Sequence, residues 1–318
     1  MPVPGLTGMQ RGNARDAGRR YRRRLRASRR GVVSVVGTLL ALLVFFSLFG
    51  IFLTEYLPLW MTDNEAEFTA ETQSSMANLK SALDLQLLLK GPPVYSTPFV
   101  LASQGVPLLA QPTGGTLNFR PAQAGVFANV SMTVGPGGSS ALYRNYSLGT
   151  LSMQLPNRYY SPQTFEFEDD AVVQSQSDRQ QIVAYPPALT ISQVGTQVNV
   201  TLALVQLYGN GSQAVSTGTQ EVSSHFLFAQ QFVSTGPTAG GTFQGEFKLG
   251  THYPCAWRTF LSQALNQSGV AASHFSLTPT SCIASNGHAK VVDLKFLNIS
   301  EFTLVLGAFS IVMGVGLE

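Results

Sequence analysis

The longest hydrophobic pattern in the chain is an uninterrupted apolar run near its N-terminus. The run from Gly31 to Thr54 contains 24 residues and not one charge. A helix of this length extends about 36 Å at about 1.5 Å per residue, which exceeds the hydrocarbon core of a bilayer at about 30 Å. A buried soluble helix of such length would normally carry a polar face. The run therefore predicts a transmembrane helix, which we assign to residues 32–57.

A second helical pattern follows the apolar run. Pro58 lacks an N–H group and is expected to interrupt the helix, and residues 62–65 have the sequence of a capping box that would begin a new one. The pattern predicts an amphipathic stalk helix over residues 58–90, ended by Gly91 and two prolines. Its apolar stripe is expected to pack on the following domain or to drive helix–helix assembly. The stripe consists of Phe68, Thr72, Met76, Leu79, Leu83 and Leu87.

The rest of the chain, residues 91–318, has the period-two alternation of β-strands. Residues 198–204 alternate apolar and polar side chains most clearly. One short helix is predicted at residues 256–266, and the polar stretch 211–244 is interpreted as long hairpins or loops. The predicted fold class is α+β: a long N-terminal transmembrane helix and an amphipathic stalk helix, followed by a β-rich, sandwich-like extracellular domain.

Two local patterns within this domain lead to specific expectations. Residues 164–168 alternate between Phe and polar side chains, and Asp169 and Asp170 follow as a turn into an apolar segment. These residues predict a β-hairpin. Residues 302–317 are uncharged and mostly apolar. We interpret them as a buried strand or strand pair, with a second membrane segment as the alternative.

Charge is divided unevenly along the chain. The first thirty residues carry ten arginines and one acid, for a net charge of +9, so the remainder sums to −6. Arginines next to an apolar helix keep that flank in the cytoplasm, and Tyr56 and Trp60 are typical of the opposite headgroup layer. We therefore expect a basic cytoplasmic leader at residues 1–31 and the C-terminal domain outside the cell. With Tyr21 as the only aromatic in the basic arm, nucleic acid is not an expected partner.

Sequons and cysteines support an outside location. Six Asn-x-Ser/Thr sequons lie beyond the apolar run, whereas about two are expected by chance. Two cysteines, Cys255 and Cys282, are compatible with one disulfide in an oxidising compartment, or with two buried thiols. The candidate glycosylation sites are Asn129, Asn145, Asn199, Asn210, Asn266 and Asn298.

The border between charge and apolar helix has the layout of a class III, prepilin-type leader. Arg30 is followed by the small residue Gly31 and then by Val32 at the start of the apolar run. Residues 33–37, Val-Ser-Val-Val-Gly, resemble the Val-Ser-Pro-Val-Ile-Gly opening of many archaeal pilins. A plain uncleaved signal anchor with glycine at its edge is the alternative.

A second stretch resembles the same group of proteins. Residues 157–173 are similar to a tyrosine-and-glutamate hairpin in pilin-like envelope proteins of haloarchaea and Thermoplasmata-type archaea, which usually have Gly-Gly where this chain has Asp169 and Asp170. The resemblance implies cleavage between Gly31 and Val32 by an archaeal prepilin peptidase, with Arg30 supplying the charge before the cut.

No pattern typical of catalysis is present in the sequence. His-Glu-x-x-His, Gly-x-Ser-x-Gly, Walker and Cys-x-x-Cys motifs are all missing, and the four histidines are scattered. The acids of residues 166–170 have oxygen ligands suited to calcium, but alternating acids on a strand are expected to form a solvated face. We therefore predict no enzyme activity, no cofactor and no metal site.

These observations lead to two functional expectations. The first is a membrane-anchored archaeal surface protein that acts as a pilin-like subunit or filament-associated component. The alternative is a non-polymerising envelope, adhesion or S-layer-associated protein with the same anchor. The expected partners are the lipid bilayer, prepilin peptidase, like subunits contacted through the apolar helix, and S-layer or glycan components.

Overall fold

The structure is a computed structural model of the full-length chain. It divides into two compact units, Met1–Pro58 and Leu59–Glu318. The part of the chain that the structure describes comprises residues 35–91, 93–122, 126–134, 140–177, 180–235, 243–279 and 290–314.

Helical structure extends from Val35 to Leu89 and includes a stretch long and apolar enough to cross a membrane. No part of that stretch is buried. The residues of the first turns, 35–48, are all exposed, including its phenylalanine and leucine side chains. We call residues 35–51 the N-terminal apolar helix.

Pro58 does not interrupt the helix, contrary to our expectation. A π-helical turn at Phe52–Tyr56 precedes it, in which the Leu57 N–H donates to the Phe52 carbonyl instead of the carbonyl four residues back. A proline ring would collide with the carbonyl four residues before it, and a widened turn is a common way to accommodate such a residue. The helix then continues as α1, Leu57–Leu89, so the predicted boundary between residues 57 and 58 is not a break.

The apolar stripe predicted along this helix is confirmed and packs on the β-rich domain. Phe68, Met76, Leu79 and Leu83 are fully buried in one core, which contains side chains from both sheets described below. Burial of such side chains contributes about 1.5–3 kcal/mol each. Core packing, not helix–helix assembly, therefore occupies this face of α1.

Fifteen strands are present in the described part of the chain and form two mainly antiparallel sheets. The first sheet has the order β1-β12-β15-β13-β3-β4, with β10 and β14 also paired to β15 and β9 paired to β10. The second has the order β11-β2-β5-β6-β7-β8. The strands are β1 Tyr95–Val100, β2 Thr116–Arg120, β3 Val126–Val134, β4 Ser140–Leu148, β5 Thr150–Leu155, β6 Gln163–Glu168, β7 Ala171–Gln176, β8 Gln181–Tyr185, β9 Leu189–Val194, β10 Gln197–Tyr208, β11 Ser212–Val215, β12 Thr219–Thr235, β13 Phe243–Thr251, β14 Phe275–Thr278 and β15 Lys290–Gly314.

The apolar tail is a strand, as predicted. Residues 302–314 form the second half of β15, where the strand pairs with β12 on one side and runs parallel to β10 on the other. Leu304, Leu306 and Ile311 are buried there. A strand that is hydrogen-bonded on both edges satisfies its backbone, which explains a continuous apolar run without a membrane.

The polar stretch 211–244, interpreted as long hairpins or loops, contains strands that do not form a hairpin with each other. β11 pairs with β2, whereas the 17-residue strand β12 belongs to the first sheet. β12 lies between β1 and β15 and is hydrogen-bonded to both. Backbone pairing on both edges therefore stabilises β12 as a strand, although its side chains show little apolar alternation.

The predicted short helix is observed as α2, Pro254–Gln267, slightly longer than residues 256–266. Proline at its first turn costs no intrahelical hydrogen bond. Trp257, Leu261 and Leu265 recur every four residues and are buried against the first sheet. The segment that enters α2 is thereby held beside β6.

Candidate functional site at the β6–β7 hairpin

The predicted hairpin is confirmed and turns through two aspartates. β6 and β7 are antiparallel neighbours joined by Asp169 and Asp170. These two residues have φ angles of 48° and 62°, in the left-handed region. A two-residue loop with positive φ at both positions matches the twist of its strands, and Asp tolerates this region better than most residues. The Asp-Asp pair therefore makes the turn of this hairpin.

The two faces of β6 differ in chemistry, and neither is solvated. Phe165 and Phe167 point into the core shared with α1. Glu166 and Glu168 lie on the other face and are also buried. The expectation that these acids form a solvated face is wrong, because the segment entering α2 covers them.

Glu166 is held by two residues of that covering segment. The Tyr253 hydroxyl donates to Glu166 Oε2 at 2.8 Å, and His252 Nδ1 lies 3.3 Å from Glu166 Oε1. The hydrogen bond to Glu166 raises the pKa of His252, against the opposing effect of burial. The Glu166 carboxylate therefore stabilises the protonated form of the His252 imidazole.

Glu168 has one satisfied and one unsatisfied oxygen. Its Oε1 accepts hydrogen bonds from the Thr251 hydroxyl and from Trp257 Nε1, the latter at 2.6 Å. Its Oε2 is buried and has no hydrogen-bond partner among the described residues. Burial, reinforced by the charge of Glu166, raises the pKa of Glu168 to about 7.

The turn aspartates are buried as well. Asp170 accepts from Lys80 Nζ at 3.2 Å and from the Ala188 N–H at 2.8 Å, and burial nevertheless raises its pKa to about 7. Both carboxyl oxygens of Asp169 are buried without a hydrogen-bond partner in the part of the chain under description. Burial and the neighbouring Asp170 and Glu168 raise the pKa of Asp169 well above its usual range.

A further buried carboxylate, that of Glu65, is bound by the segment of chain just before β6. Glu65 of α1 accepts hydrogen bonds from the successive N–H groups of Arg158, Tyr159 and Tyr160 at 2.7–3.1 Å, and from the Thr113 hydroxyl at 2.6 Å. Burial alone would raise the pKa of Glu65, but these hydrogen bonds lower it below its usual value. Glu65 therefore fastens α1 to the domain and is not part of an N-terminal capping box.

Three of these side chains have the arrangement of metal ligands. One ligand atom each from Glu166, Glu168 and His252 lies within 4.8 Å of the other two. No other group of this kind occurs among the residues that the structure describes. Sequence reasoning missed it because His252 is 86 residues from Glu166; the only local signal was the pair of acids on β6.

Of the candidate sites predicted from the sequence, Asn129 and Asn145 are brought together as cross-strand partners of β3 and β4. Arg30, Gly31 and Val32 lie outside the described residues, and so does Cys282, so the leader cleavage and the disulfide stay predictions. Cys255 lies half-buried in the first turn of α2.

None of the sequon asparagines is buried, and their glycosylation stays a prediction. Three are exposed, namely Asn145, Asn210 and Asn266, and three are half-buried, namely Asn129, Asn199 and Asn298.

Comparison with known proteins gives no relative for this chain. No protein family, no curated protein and no solved structure matches it. Its function must therefore be argued from its own residues.

Proposed function

We propose that this chain is a membrane-anchored archaeal surface protein that acts as a pilin-like subunit or filament-associated component and has no catalytic role. The observation that carries the proposal is the N-terminal apolar helix, residues 35–51, which lacks charges and is exposed at every residue except the half-buried Gly50. An uncharged helix with apolar side chains on every face needs an apolar environment from lipid or from other helices.

The same helix suits both states of a pilin-like subunit. In a bilayer its side chains would contact lipid, and in a filament they would contact the equivalent helices of like subunits. The apolar stripe of α1 is already buried in its own domain. Subunit contacts between helices would therefore involve residues 35–51 and not the stripe of α1.

The chain's charges and sequons support an anchor with the β-rich domain outside. The arginine-rich arm precedes the apolar helix, and such arms stay cytoplasmic. All six sequon asparagines lie beyond the helix on exposed or half-buried positions. The expected partners are the bilayer, a prepilin peptidase, like subunits, and S-layer or glycan components.

The mature N-terminus of the native protein, together with the oligomeric state of the detergent-extracted protein, tests this proposal. We expect mass spectrometry to find Val32 as the first residue and electron microscopy to find filaments. Gly31→Val should block the cleavage because the small residue before the cut is lost. Gly37→Ala is the matched control, since a Cβ at Gly37 meets no atom within 4 Å.

Two results would count against the pilin-like assignment. An N-terminus that retains the arginines shows an uncleaved signal anchor. A cleaved or uncleaved chain that extracts as a monomer and forms no filaments favours the alternative, a non-polymerising envelope, adhesion or S-layer-associated protein held by the same helix.

A further inference from the structure

The cluster of Glu166, Glu168 and His252 joins two separate parts of the domain. The glutamates project from one face of β6 in the second sheet, and His252 follows β13 of the first sheet. His252 Nδ1 and Glu166 Oε1 are 3.3 Å apart. Two ligand atoms bound to one cation at about 2.1 Å are separated by about 3.0–3.4 Å, so this pair already has the spacing of two ligands.

Glu168 has an unsatisfied buried oxygen at this cluster. Its Oε1 already accepts from Thr251 and Trp257. Its Oε2 is buried and has no hydrogen-bond partner among the described residues. A cation bound at Oε2 would satisfy this buried atom.

The surrounding charges also favour a cation. Asp169 adds a third carboxyl group that is fully buried and unpartnered, directly after Glu168. Among the described residues, His252 contacts Glu166 directly, and the charge of Arg120 acts on His252. Buried carboxylates are normally paired, neutralised or coordinated to a metal.

We propose that Glu166, Glu168 and His252 bind one divalent first-row transition-metal ion of the Zn²⁺ class. A donor set of one imidazole nitrogen and carboxylate oxygens suits such ions, whereas Ca²⁺ and Mg²⁺ take oxygen ligands. Tyr253 orients Glu166, and Thr251 and Trp257 orient Glu168, as hydrogen-bonded partners of metal ligands commonly do. The ion would link β6 to the segment that enters α2. This site is independent of the membrane anchor and of the proposed function.

Zinc binding to the purified full-length chain in mild detergent, after removal of metals by EDTA, tests the site. We expect calorimetric titration with Zn²⁺ to give one site per chain, and saturating Zn²⁺ to raise the midpoint of thermal unfolding. Glu168→Gln and His252→Ala each remove a ligand and should weaken binding at least about 100-fold. The matched controls are Glu301→Gln and His225→Ala, exposed residues of β15 and β12 that should leave binding unchanged.

A measurement on the unmodified protein removes any dependence on how the variants fold. Diethyl pyrocarbonate modifies accessible histidines, and the His252 side chain is 17% exposed. Bound Zn²⁺ should protect His252 from modification, as mapped by mass spectrometry, and should leave His225 as reactive as before. Either of two results would overturn the proposal: no saturable Zn²⁺ binding by the wild-type chain, or binding that leaves His252 as reactive as it is without the metal.

Discussion

Glu65 and Glu168 are both fully buried, yet their pKa values shift in opposite directions. Glu65 receives hydrogen bonds on both oxygens from three backbone N–H groups and a hydroxyl. Glu168 receives them on one oxygen only. The charge state of a buried carboxyl group therefore depends on the number of donors aimed at it, since each donor stabilises the ionised form.

Replacement of Glu65 by glutamine should destabilise the domain. Gln has one acceptor oxygen, so at least one of the N–H groups of Arg158, Tyr159 and Tyr160 would face the amide NH₂ and lose its acceptor. The expected loss in the free energy of unfolding is about 2 kcal/mol, since a hydrogen bond to a charged group contributes about 1.5–3 kcal/mol. Urea denaturation of the detergent-solubilised chain, followed by the fluorescence of buried Trp257, measures it.

The pH dependence of this loss distinguishes a charge effect from a packing effect. The folded-state pKa of Glu65 lies below its ordinary value of 4.5. The ionised carboxylate therefore stabilises the fold above about pH 4.5, and that contribution is lost as pH falls toward the folded-state pKa. The difference between wild type and Glu65→Gln should shrink below pH 4.5. Glu67→Gln, an exposed site on the same helix, is the control, and a difference independent of pH would contradict the assignment.

At the scale of elements, α1 is held to the domain by its apolar stripe. Leu79 is fully buried in the core that also contains Phe165 and Phe309. Leu79→Ala should lower the free energy of unfolding by about 3 kcal/mol, because it removes buried methyl groups and leaves a cavity. Leu88, which is 79% exposed on the same helix, is the matched control. Leu88→Ala should change stability by no more than about 0.5 kcal/mol in the same urea experiment, and an equal loss in both variants would show that the stripe is not the docking face.

The elements that sequence predicts well are those in which local pattern and burial agree. The stripe of α1, strand β10 and helix α2 each show a regular apolar period, and each is buried where that period indicates. β12 shows no such period, and its sequence predicts only long hairpins or loops. Its pairing partners, β1 and β15, are far away in the sequence, so the information that makes it a strand is not local.

The buried polar residues show the same limit more sharply. Glu65 and Glu168 are ordinary acids in the sequence, and acids are almost never fully buried unless paired. Their burial depends on Tyr160 and Trp257, which are distant in the chain. Such long-range contacts leave no periodic pattern in the sequence. The hairpin of residues 163–176 could be predicted, whereas the burial and hydrogen bonding of Glu166 and Glu168 on β6 could not.

At the scale of the whole β-rich unit, the stretch of residues 158–170 forms hydrogen bonds to several elements. The N–H of Tyr159 donates to Glu65 of α1, and Asp170 accepts from Lys80 of the same helix. Glu166 of β6 accepts from Tyr253, which precedes α2. The polar residues of this stretch therefore contribute to the assembly of the domain, which gives a physical reason for tyrosine and glutamate at these positions.

The last prediction concerns how the molecule is placed in a membrane. Moving ten arginines through a hydrocarbon layer is far costlier than leaving them in the cytoplasm, so the arm of residues 1–30 should stay inside while residues 91–314 lie outside. In the Gly31→Val variant, whose leader should stay attached, protease added to intact cells should therefore cleave the β-rich unit and spare an epitope tag placed before Arg11, and lysis should expose that tag. Loss of the tag from intact cells, with the β-rich unit preserved, would reverse the topology. Such a reversal would also place the six sequons in the cytoplasm, away from any outer-surface glycan, so one experiment tests the anchor, the orientation and the surface location together.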